Sequence, residues 1–387
     1  MRLLILTTGN EFTPSMLYKE NYIIKAAQSR GDEVFVFANP YTYIAGRTAL
    51  AQDDEVTEGY ILKRFKYISY GFSAITTRIR RIDGLEQEII KVNPDLIFVN
   101  CAQVYNIQNL KVVKDTLPNV KIVLDFSTKY LNSARTWITR NILHRFIYRR
   151  WLEKALPYVD KVFYISQESK EFVQEMYRIP NGILEHNNLP GETIPIDKKE
   201  EYKSEVFERL GLDNKNYLFL YTGKIYPEKK VEQLVRAFIR TKNLNFRLVI
   251  IGVYNDDLSK SIIEPLIESD SRIIFLNFVS GDELTKYVCA ADCYFQPGSI
   301  SQTCQTAVCC GTPLCFNDIP THREIYNGNG FFVDSEEDIF QVFSKIDNDA
   351  QILCDMSKKS YQLANEELDY HIIYNKVLSA VNMLSKC

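Results

Sequence analysis

The chain has 387 residues, 46% of them hydrophobic and 25% charged, with a formal net charge of -3. That length fits two domains of roughly 150 to 200 residues, and the composition excludes long disordered or fibrous segments. The small net charge gives no global pull toward nucleic acid, and none is expected as a partner.

The N-terminus opens with Met-Arg and four apolar residues, too few for a signal-peptide core, and no apolar run approaches the ~18 residues of a membrane span. The expectation is a cytoplasmic chain. The nine cysteines include a cluster, Cys304, Cys309, Cys310 and Cys315, that lacks CxxC pairs, and only four histidines are present. They read as reduced, buried hydrophobes, and no metal is expected.

Residues 2–8 form a short apolar run ending in Gly9-Asn10, after which Thr13-Pro14 reads as a helix cap with proline at the first helical position. Further short apolar runs follow at 33–38, 95–100, 121–126 and 161–166, with helical stretches between them. This alternation predicts a parallel sheet covered on both faces. The polar stretch 191–204, with Pro195 and a Lys-Lys-Glu-Glu run, reads as a linker between a first domain, 1–190, and a second, 205–365. Strands are expected there at 217–221, 247–252, 272–276, 293–296, 312–316 and 330–333, and the terminal segment 366–387 reads as a helix crossing back to the first domain.

Two segments of the second domain have anion-binding chemistry. Gly223-Lys224 closes a strand and Lys229 follows five residues later, ahead of a helix over 231–240. Pro297-Gly298-Ser299 turns a strand into a Ser/Thr-rich helix start holding Ser301, Gln302, Thr303, Gln305 and Thr306. Glycine turns, fixed cations and free amides at helix N-termini suit a diphosphate, although solvated lysines and an ordinary capped helix fit the same residues. Asp125 ends the strand 121–126, where ligands bind in open α/β sheets, or caps it as an Asx turn.

Taken together, Gly223-Lys224-Ile225 with Lys229, Pro297-Gly298, Thr306-Ala307, Gly311-Thr312-Pro313 and Pro320 to Val333 resemble the retaining GT-B glycosyltransferases of family 4. The resemblance implies two facing doubly wound Rossmann-like domains with a cleft between them, a nucleotide-sugar donor of UDP or GDP type on the second, and a glycan or lipid-linked acceptor on the first. It implies polysaccharide or glycolipid synthesis without a cofactor. Gly9 and Asn10 match the loop facing the donor diphosphate, Lys224 and Lys229 the residues offsetting its charge, and Asp125 is assigned to the acceptor hydroxyl. Lysine stands at 224 where the family has arginine, and Thr306 where it has a glutamate, with Ser301, Gln302, Gln305 or the nearby Glu324 as substitutes. An epimerase of the same fold, or a binding scaffold without catalysis, remains as an alternative.

Residues 135–154 hold six Lys/Arg against one Glu with aromatics between them, and 63–81 is similar. Arg145, Arg149, Arg150 and Trp151 are therefore expected to contact an anionic membrane surface, placing the chain peripherally on the inner face of the plasma membrane. A solvated basic face is the plainer reading.

Overall fold

A computed structural model describes residues 1–383 except 15, 45–46, 52–55, 58 and 300. Residues 384–387 of the expected terminal helix and Ile300 of the expected helix start lie outside the described residues. The chain divides into one compact unit of residues 1–14, 20–188 and 373–387, and another of 15–19 and 189–372.

The first unit is built on a sheet in the order Leu184–His186, Lys161–Tyr164, Lys121–Phe126, Leu96–Asn100, Arg2–Thr7, Glu33–Ala38, Tyr60–Arg64, Val56–Thr57. All its pairings are parallel except the last. Arg2–Thr7 and its neighbours are apolar almost throughout and buried on both faces, as strands covered by helices on each side must be. The order reverses beside Arg2–Thr7, which places a ligand-type crevice beyond its carboxyl end and that of Leu96–Asn100.

The second unit holds a fully parallel sheet, Ile273–Leu276, Phe246–Tyr254, Tyr217–Ile225, Cys293–Gln296, Leu314–Phe316, Gly330–Phe332. Its order reverses between Tyr217–Ile225 and Cys293–Gln296. Both faces are packed by separate apolar clusters, and Cys304, Cys309, Cys310 and Cys315 sit fully buried within them.

Three local expectations are corrected. The first helix starts at Lys19, not after Thr13-Pro14. Thr13 Oγ1 instead accepts the Tyr43 amide at 2.8 Å and meets Thr42 Oγ1 at 2.9 Å, so its capping oxygen is already engaged with the strand Tyr41–Ile44. The stretch read as a linker is helix from Ile196 to Leu210, whose Val206 and Phe207 are buried in the second unit's core. The strand expected to stop at 221 runs on to Ile225, so Gly223 lies inside it.

Candidate functional site

The two motifs flanking the reversal of the second sheet meet through backbone. The turn Pro227–Lys229 follows Tyr217–Ile225, and Pro297-Gly298-Ser299 follows Cys293–Gln296. The Ser299 amide donates to Glu228 O at 3.1 Å, and the Lys229 ammonium donates to Ser299 O at 2.8 Å. A Cβ on Gly298 would lie 2.2 Å from Glu228 O and 2.5 Å from Lys229 Cα, so no larger residue fits without moving backbone. Gly252 does the same one strand over: its Cβ would fall 2.0 Å from Gly223 O, and Gly223 itself has φ 135°.

A buried polar chain lies beneath these turns. The Tyr294 hydroxyl meets Thr222 Oγ1 at 2.9 Å and donates to Gln296 Oε1 at 3.1 Å. The Gln296 amide nitrogen donates to Ser299 O at 2.7 Å, the carbonyl that also receives Lys229. Burial holds the Lys229 pKa below the ordinary lysine value. Lys224 is exposed at the strand end, and its carbonyl accepts the Tyr221 hydroxyl at 3.0 Å.

The Ser/Thr-rich segment is differently arranged from the expectation. The helix begins at Thr303 and all seven of its residues are buried. Gln302 donates to Pro190 O at 3.0 Å. With its amide turned to donate, Gln305 reaches Gln302 O at 3.1 Å and Ser301 O at 3.3 Å. These two amides therefore hold the loop, while Ser301 Oγ and Thr303 Oγ1 pair at 3.3 Å. Thr306 Oγ1 is buried without a hydrogen-bond partner among the described residues. Glu324, half-buried, follows the short helix Pro320–Arg323.

In the first unit, Gly9 packs under the turn after Leu96–Asn100: a Cβ there would meet Cys101 O at 2.4 Å. Cys101 has φ 61°, which turns the chain at this crevice. The Asn10 carbonyl accepts from Asn39 at 2.6 Å, and Asp125 is buried at the strand tip in register with Asn100. Nearby, Gln103 donates to Thr128 Oγ1 at 2.8 Å and to the Tyr177 hydroxyl at 3.1 Å. His144 Nε2 lies 3.2 Å from Ser133 O, which only accepts, so Nε2 carries the proton and Nδ1 accepts the Tyr177 hydroxyl at 2.6 Å. Burial pushes the His144 pKa down to about 4.

The residues expected to contact a membrane have these surroundings. Arg145 pairs with Glu175 at 2.5 Å, Arg149 donates to Met176 O and Glu175 O at 2.7 Å each, and Trp151 packs on Tyr105 and Tyr148. Only Arg150 of the four is exposed, and it lies over the Phe146 ring. The exposed apolar side chains of these two stretches include Trp137, Ile138, Ile142 and Phe146, with Phe72 and Ile75 at the helix Ser73–Ile79, which buries none of its residues. No described helix is long and apolar enough to cross a membrane.

Residues 203–362 match the family model for glycosyl transferases group 1. That match lies within the second unit. The whole chain has the GT-B fold: it superposes on the Anabaena protein HepE, solved in complex with UDP, with a TM-score of 0.69 at 14% identity, covering 99% of this chain and 100% of that one. An uncharacterised glycosyltransferase of Methanocaldococcus jannaschii is 25% identical over 45% of this chain and 46% of its own length. The alpha-monoglucosyldiacylglycerol synthase of Acholeplasma laidlawii is 25% identical over 42% of this chain and 44% of its own. The chain thus matches just under half the length of these curated relatives. In the second unit, sequence reading singled out Gly223, Lys229 and Gly298 but not Gly252 or the hydrogen-bonded chain Thr222-Tyr294-Gln296, which lie inside strands and carry no spacing signal.

Proposed function

We propose that the chain transfers the sugar of a nucleotide-sugar donor, of UDP or GDP type, to a glycan or lipid-linked acceptor with retention of configuration. The observation that carries this reading is the joining of the two turns at the reversal of the second sheet, where Lys229 and Ser299 are locked together. Such a reversal is where ligands bind in open α/β sheets. In the reaction the bond from the sugar C1 to the diphosphate breaks, one from C1 to the acceptor oxygen forms, and the acceptor hydroxyl's proton passes to the departing diphosphate. Negative charge builds on the departing diphosphate, and Lys229 and Lys224 offset it. Ser301, Thr303 and Thr306 supply the hydroxyls for the donor's sugar or ribose, while Gln302 and Gln305 keep their loop in place. In the first unit, Asp125 positions the acceptor hydroxyl.

A UDP-type donor is favoured by HepE's complex with UDP, and a lipid acceptor by the name of the Acholeplasma laidlawii relative. The exposed Trp137, Ile138, Ile142 and Phe146 with Arg150 suit peripheral contact with anionic lipid. The test is mass spectrometry of products formed from a panel of nucleotide sugars with membrane lipid extract. A sugar-bearing product with release of nucleoside diphosphate is expected. An isomerised donor sugar, or no turnover of any donor, would sink the reading.

A further inference from the structure

The first unit holds a cation, Arg80, that forms no ion pair among the described residues. Arg80 ends the helix Ser73–Ile79 in left-handed backbone, φ 53° and ψ 46°, a conformation that a long side chain keeps only when its surroundings hold it. Its guanidinium is folded inward: Nε donates to Thr77 O at 2.8 Å, and Nη1 donates to Gln103 O at 3.4 Å and lies 3.9 Å from Cys101 Sγ. Cys101 is also the residue against Gly9, whose Cβ would stand 2.9 Å from the same sulfur. The charge therefore sits in the crevice beyond Arg2–Thr7 and Leu96–Asn100, where the first sheet's order reverses.

None of its neighbours balances it. Burial pushes the Cys101 thiol up and the Tyr148 phenol up to about 12, and it raises Tyr67 further, so all three are neutral at pH 7. Glu11, on the loop after Gly9, favours the charged Arg80 from a distance but forms no ion pair with it among the described residues. Among the described residues Arg80 forms no ion pair, and its Nη2 has no acceptor. A partly buried guanidinium with part of its fork open is costly until an anion completes it, and that fork matches carboxylate and phosphate geometry.

We propose that Arg80 receives a carboxylate or phosphate of the acceptor, which makes the acceptor an anionic molecule; this rests on the transferase reading above. The full chain and its R80Q and R80K variants are titrated calorimetrically with glycerol 1-phosphate, glucuronate and uncharged glycerol. They are also floated with vesicles containing phosphatidic acid or diacylglycerol. Wild type should bind an anionic probe and ignore glycerol. R80Q should weaken that binding by roughly 10- to 100-fold, as for a lost charge-assisted bond. R80K should fall between, because an ammonium lacks the fork, and UDP affinity should be unchanged throughout. Binding of the soluble phosphate or of glucuronate points to a free anionic acceptor, and binding of phosphatidic acid alone to a lipid headgroup. No anionic binding by wild type, equal binding by R80Q, or a parallel loss of UDP binding in both variants would overturn the assignment. Failure of the transferase reading shows separately, as absence of donor turnover by wild type.

Discussion

At the residue scale, Lys229 is the side chain on which most depends, because its ammonium is buried and bonded to the backbone of the second turn. Lys229→Ala should lower turnover by ~10²-fold or more, the loss typical of one preorganised electrostatic contact. Lys224 is exposed, so Lys224→Ala should cost less and Lys224→Arg less again. Steady-state kinetics of the three variants decide this, and unchanged turnover in Lys229→Ala removes the lysine from the site. His144 gives a separate test through pH. Its folded pKa of about 4 lies below the unfolded 6.5, chiefly through burial, so the unfolded chain binds the extra proton first. The stability it contributes is complete above pH 6.5 and is lost as pH falls toward 4, by roughly 3 kcal/mol in all. Chemical denaturation across that window should show a shallower pH slope in His144→Gln. Equal slopes would mean that the ring is not kept neutral.

At the scale of elements, the basic stretch 135–154 contains two kinds of residue that look alike in sequence. Arg145 and Arg149 are tied to Glu175 and to backbone carbonyls, whereas Trp137, Ile138, Ile142 and Phe146 are exposed. Changing those four to Ser should reduce binding to anionic vesicles by about tenfold or more, from lost apolar burial. Changing Arg145 and Arg149 to Ser should instead lower the melting temperature and leave lipid binding nearly intact. Sedimentation with vesicles and a thermal melt on each variant separate the two, and the reverse pattern would restore the arginines as the contact. The sequence showed where basic and aromatic residues concentrate, but not which side chains are tied to partners, because partners such as Glu175 come from a distant helix. The same limit explains Thr13, whose capping oxygen is claimed by Tyr43 on another strand, and Gln302 and Gln305, which read as ligand-facing yet bond to loop carbonyls. Glycine turns at strand ends were legible because they depend on local chain geometry. Arg80 was not, since neither its left-handed backbone nor its lack of an acid is written in its neighbours along the chain.

At the scale of the whole molecule, two separately packed units share one chain, and the first is completed by residues from the far end of the sequence. The helix Tyr370–Ala380 contributes Ile373, Tyr374, Val377 and Leu378 as buried side chains, followed by Val381, and the Tyr374 hydroxyl donates to Asp32 at 3.2 Å. That carboxylate also holds the N-terminal ammonium of Met1 at 3.0 Å, so the helix Tyr370–Ala380 and the start of the chain meet at Asp32. Each of these apolar side chains stabilises by on the order of 1.5–3 kcal/mol when buried. Set against a net stability of roughly 5–15 kcal/mol for a domain, their removal should take most of what the first unit has. Truncation after residue 372 should therefore unfold or strongly destabilise residues 20–188, while the second unit, whose own clusters lie within 189–372, keeps its structure. Hydrogen exchange read peptide by peptide is the suitable measurement, because a single melting curve would merge the units. Protection should be lost across Arg2–Thr7 and Glu33–Ala38 and retained across Tyr217–Ile225. Equal protection in both units after truncation would show that the terminal helix only lies on the first unit and is not part of its core.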